Sequence, residues 1–148
     1  MDWFWRSWLP LAIAVTGVCT LVYITVQQNY RQSLNDPQIR IAQDAARDLV
    51  AGAAPASVVP RGDAIDIATS LATYMVVYDE SLVPLKSSAV LDGEPPKPPK
   101  GIFDHAKEWG ENRITWEPRK DVRSAVVVVY VPGEKGGYVL AGRNMREV

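Results

Sequence analysis

The sequence predicts an α+β domain carried behind an N-terminal membrane-spanning helix. Three observations lead there. Trp8 to Val26 is a run of nineteen residues without a charge. Ile39 to Val50 places its alanines and aliphatics on one helical stripe. From Tyr74 onward the period changes, and short β-branched or aromatic runs alternate with turn residues, which is the signature of strands.

At 1.5 Å per residue the apolar run gives about 28 Å of helix, close to the roughly 30 Å hydrocarbon core of a bilayer. Thr16, Thr20 and Thr25 are tolerable within it, because a threonine hydroxyl can bond a carbonyl one turn back. Trp3, Phe4, Trp5 and Trp8 gather at its front and Tyr23 and Tyr30 at its back, as aromatic belts do at headgroup level. A cleavable signal would be shorter and end in a small-x-small site, whereas Ile24, Thr25, Val26 and Gln27 follow here. A lipoprotein signal would need a small residue before Cys19, where Val18 stands. The run is read as an uncleaved anchor over residues 8–26, preceded by a short tail, residues 1–7. Its orientation is not fixed by charge: Arg6 and the amino terminus lie on one side, Arg31 and Arg40 on the other.

Residues 27–148 make one domain of ordinary size. The net charge is −1, so the basic surface that nucleic-acid binding needs is missing and a nucleic-acid partner is not expected. The single cysteine, Cys19, lies in the apolar run, so no intrachain disulfide can form. The chain has no Asn-x-Ser/Thr acceptor either.

Along the domain, Gln27 to Leu34 extends the first helix into water. Asp36 can cap a second helix with Pro37 at its first position. That helix carries Ala42, Ala45, Ala46, Leu49 and Val50 on a narrow face suited to close packing on a sheet or on a twin helix, and Gly52 stops it. Residues 53–62 read as loop, and Asp63 as the cap of a short helix over 64–73. Tyr74 to Tyr78 and Val83 to Ala89 form a hairpin of strands around Asp79-Glu80. Pro95, Pro96, Pro98 and Pro99 make residues 91–101 an extended connector. A helix over 103–109 follows, then strands at 113–117, 122–131 and 137–142, with a hairpin turn over 133–137. The valine-rich middle strand calls for cover on both faces. Residues 143–148 read as the start of a final helix. Five antiparallel strands with helices segregated to one side make the fold α+β.

That order, behind an N-terminal span, resembles the PAS-like extracytoplasmic sensor domains called Cache domains, found in bacterial chemoreceptors and sensor kinases. Tyr78-Asp79-Glu80-Ser81-Leu82-Val83-Pro84 is similar to the turn between their first two strands, with Leu82 where glycine is usual. Ala89-Val90-Leu91-Asp92-Gly93 before the prolines, and Ala141-Gly142-Arg143 near the end, are similar as well. The resemblance covers residues 27–148. It implies a domain outside the cytoplasm, anchored in the inner (cytoplasmic) membrane and facing the periplasm or cell exterior. Such proteins normally continue through a second membrane helix into an output module, and Val148 stands where that helix would begin.

Catalytic chemistry finds no support. His105 is the only histidine, so neither a typical zinc site nor a histidine-based triad has a second partner of the right kind. No phosphate-binding glycine motif and no acid/base carboxylate pair is visible, no cofactor is called for, and His105 is expected on the surface. Arg61-Gly62-Asp63 spells a cell-adhesion tripeptide, a match too short to carry weight. What the resemblance leaves is a cavity between the sheet and the connector. Tyr74 and Tyr78 on the first strand, Trp116 on the third, and Arg123 and Tyr130 on the fourth are its candidate ligand contacts. Aromatic rings with a guanidinium suit a small carboxylate-bearing ligand. The expectation is a non-catalytic, membrane-anchored sensor or ligand-binding module of a bacterial signalling protein, paired as a homodimer through the membrane-proximal helix. The alternative is an anchored scaffold or accessory subunit of an envelope complex, with no ligand.

Overall fold

The computed structural model describes residues 2–33, 36–133 and 136–146, and within the first helix the side chains of Trp8 and residues 12–26. The chain divides into two compact units, Met1–Asp36 and Pro37–Val148.

The first unit is one helix, α1 (Asp2–Ser33). Every described side chain on it is exposed, including Ile13, Val18, Leu21 and Tyr23. Thr16, Thr20 and Thr25 each donate a hydroxyl hydrogen bond at 2.8 Å to the carbonyl four residues back, as the sequence predicts. Among the described residues no helix is long and apolar enough to cross a membrane. The expected belt residues Trp3, Phe4, Trp5 and Tyr30, and the cap at Asp36, lie outside the described side chains.

The second unit is α+β. Its elements are α2 (Asp36–Val50), α3 (Pro55–Val58), β1 (Ile65–Asp66), β2 (Tyr74–Asp79), β3 (Pro84–Ser87), β4 (Ala89–Val90), α4 (Lys100–Trp109), β5 (Glu111–Arg119), β6 (Val122–Val131) and β7 (Gly137–Asn144). Five strands form an antiparallel sheet in the order β3-β2-β7-β6-β5. The first and last long strands thus pair at its centre. β1 and β4 pair in parallel as a separate two-residue ladder.

Local chemistry explains the boundaries. Gly52 takes a φ of 96°, its N–H reaches the Leu49 carbonyl and the Ala53 N–H reaches the Asp48 carbonyl, a Schellman close to α2. Gly110, at φ 84°, ends α4 in the same left-handed region. In the β2–β3 turn Leu82 has φ 63°, so the position where the resembled turn carries glycine does need a left-handed backbone. Leu82 packs against the domain's inner cluster, which offsets the steric cost. β5 lies at a sheet edge and holds Pro118 inside a register shift between Trp116 and Arg119, where a missing N–H costs no ladder bond.

Four expectations are corrected. Residues 64–73 are no helix: Ile65 and Ile67 donate to Ser88 and Val90 carbonyls, and the Asp66 carboxylate caps the Ala68 N–H in a turn. The loop over 53–62 contains the single-turn α3. The second strand is two pieces, because β3 serves β2 while β4 leaves the sheet to meet β1. Arg143 and Asn144 continue β7 instead of opening a helix, and residues 147–148 of that expectation lie outside the described residues.

The helices also lie on both faces of the sheet, not one. Ala42, Ala45 and Ala46 of α2 pack with Met75, Val77, Val127 and Val139. Phe103 and Ala106 of α4 pack on the opposite face with Tyr74, Tyr78, Val126, Val128 and Tyr138. This double cover is why β6 is apolar at consecutive positions, as its sequence suggested.

Candidate functional site

The face under α4 is where the sequence places its candidate contacts. Strand alternation sets Tyr74, Val76 and Tyr78 of β2, Val126, Val128 and Tyr130 of β6, and Ile114 and Trp116 of β5 on it. Four of the five candidates, Tyr74, Tyr78, Trp116 and Tyr130, therefore share one face. Arg123 does not. Its neighbour Ser124 points to the Tyr74 hydroxyl, so Arg123 projects from the other side, exposed and 3.4 Å from Glu117. The Arg123 guanidinium expected beside the rings therefore does not stand there.

The rings are locked. Ser124 Oγ donates to the Arg143 carbonyl at 2.9 Å, which leaves the Tyr74 hydroxyl to donate to Ser124 Oγ at 2.7 Å. Tyr74 lies across Gly142, its cross-strand partner, and a Cβ at that glycine would run into the ring. The Tyr78 hydroxyl donates to the Pro96 carbonyl at 2.5 Å and so ties the proline connector to the sheet. Pro96 and Pro98 are themselves buried. Phe103 stands edge-on between Tyr78 and Tyr138, 5.1 Å from each ring centroid. Tyr130 extends the row, 5.4 Å from Tyr138. At the rim its hydroxyl meets Glu80 at 3.1 Å, while Lys107 lies 3.5 Å from Glu80 and 5.5 Å over the Tyr130 ring.

Electrostatics follow from burial. Desolvation pushes the Tyr74 hydroxyl up to about 12, against the pull of its Ser124 hydrogen bond. Tyr78 is raised by burial and then by nearby Tyr74. Both stay neutral near pH 7. At the rim Glu80, and after it Tyr130, hold the Lys107 proton more tightly. Among the described residues every buried side-chain nitrogen and oxygen has a hydrogen-bond partner. This face thus offers packed rings and already engaged hydroxyls, an arrangement that holds the connector in place.

Sequence reasoning missed Phe103, Tyr138, Ser124 and the Pro96 carbonyl. Phe103 with Ala106 at i+3 on a short helix signalled a buried stripe, and Tyr138 stood at the start of an expected strand. Nothing marked Ser124 or Pro96. His105 is exposed as expected, its ring stacked on Trp109 at 6.2 Å. Among the described residues no cluster of three or more His, Cys, Asp or Glu side chains is arranged to hold a metal ion.

No family model matches the chain, and neither a curated protein nor a solved structure does.

Proposed function

We infer that the chain is a non-catalytic, membrane-anchored PAS-like module of a bacterial signalling protein, its sheet domain on the outer side of the cytoplasmic membrane. The observation that carries the PAS-like part is the sheet. A hairpin, a connector with a helix, and a three-strand meander closing on the first strand are the arrangement the resemblance calls for. The anchor is supported by α1, whose described side chains are apolar on every side and whose threonine hydroxyls are turned onto its own carbonyls. Sensing, the outer location and pairing through α2 rest on the resemblance, and fold alone does not fix function. Pairing would use the outer face of α2, with Arg40, Ile41, Asp44 and Arg47, because its alanine face is spent on the sheet.

A second reading, an anchored scaffold or accessory subunit without a ligand, is favoured by the rings that fill the space between sheet and connector. Thermal unfolding of residues 37–148 against amino acids, organic acids and amines separates the two. A ligand at a hundredfold its Kd stabilises by about 2.7 kcal/mol, a Tm shift on the order of ten degrees for such a domain. A selective shift that Tyr78→Phe alters supports sensing on the ring face. Clean cooperative unfolding with no shift moves the scaffold to first place.

A further inference from the structure

On the outer edge of the sheet, away from the rings, the loop over 60–64, Ala56 of α3 and strand β3 line an open concavity of about 370 Å³. Its charged lining is Arg61 and Lys86, with no carboxylate among the lining residues. Among the described residues neither cation has an ion-pair partner. The loop is held at both ends. Val59, before it, is buried in the cluster under α2, and Ile65, after it, donates a 2.8 Å hydrogen bond to the Ser88 carbonyl. Lys86 is fixed in register opposite Val77. Two cations brought to one concavity repel each other until an anion lies between them, and a guanidinium presents a planar fork that matches carboxylate or phosphate.

We propose that this edge pocket binds an oxyanion, a phosphate or carboxylate group, between Arg61 and Lys86. The site shares no residue with the ring face and stands whether or not that face binds anything. The test uses the full chain in nanodiscs, comparing wild type with the Arg61→Gln/Lys86→Gln double variant and with Lys97→Gln as a control for simple charge loss. In zwitterionic lipid, inorganic phosphate should raise Tm over chloride of equal ionic strength by roughly five degrees more in wild type and control than in the double variant. Taking the difference removes the general stabilisation that phosphate gives any folded protein. The same differential appearing only when phosphatidylglycerol is added to the nanodisc would assign the oxyanion to a lipid headgroup. Equal shifts in wild type and double variant under both conditions would overturn the proposal.

Discussion

Under α2 the sheet presents Met75, Val77, Val127, Val139 and Ala141 to a helix face of three alanines. Under α4 it presents Tyr74, Tyr78, Tyr130 and Tyr138 to Phe103 and Ala106. The first interface sets alanines against aliphatic side chains, with Ile39 and Leu49 at its margin, and volume decides the fit. The second is built from rings with polar handles, so edge-to-face geometry and hydroxyl partners decide it. One sheet is therefore fixed by shape on one side and by direction on the other. The directional side also holds the connector, and the shape side holds α2.

Opposite substitutions should damage the two faces. The largest effect is expected from Phe103→Ala, which removes the ring between Tyr78 and Tyr138; the loss should be about 3–5 kcal/mol by chemical unfolding. A loss under 1 kcal/mol would mean the ring row is not the organising feature of that face. Next comes alkaline pH. Tyr74 is raised from 10.0 to about 12 in the folded state, so its neutral form is the one the fold favours. The stability this contributes is complete below pH 10 and is lost as pH climbs through the folded value, on the order of 3 kcal/mol. Tm measured from pH 9 to 12 should fall less steeply in Tyr74→Phe, whereas an unchanged slope would assign the alkaline loss to other groups. On the α2 face the damaging change is enlargement. Ala45→Leu should cost about 1–3 kcal/mol through overpacking, and a neutral result would show that α2 can lift off the sheet freely. The smallest effect belongs to the rim, where Glu80→Gln weakens an exposed ion pair and should cost less than about 1 kcal/mol, diminishing further with salt.

What could be read in advance follows the same division. Local periodicity gave β6 its observed bounds, placed α2 and α4, and found the β2–β3 hairpin. Long-range pairing was invisible. Ile65 and Asp66 look like the start of a helix until Ala89 and Val90, more than twenty residues away, offer a parallel ladder. Val83 to Ala89 looks like one strand because nothing in it announces the change of partner at Ser88, whose hydroxyl bonds the Met75 backbone. The aromatic candidates were legible because strand alternation put them on one face, and the same alternation, read strictly, separates Arg123 from them. Arg61 and Lys86 lie on different elements and carried no shared signal.

Strand β5 is the longer of the two open edges, nine residues with one side unpaired. An edge of that length is a template on which another molecule's strand could grow, the first step toward fibrous polymerisation. Its register shift, the ring of Pro118 and the alternating charges of Glu111, Arg113, Glu117 and Arg119 interrupt that template along its whole length. Molecules crowded together at high concentration would thus meet at an edge unsuited to recruiting strands, and association among them would be left to helices and loops.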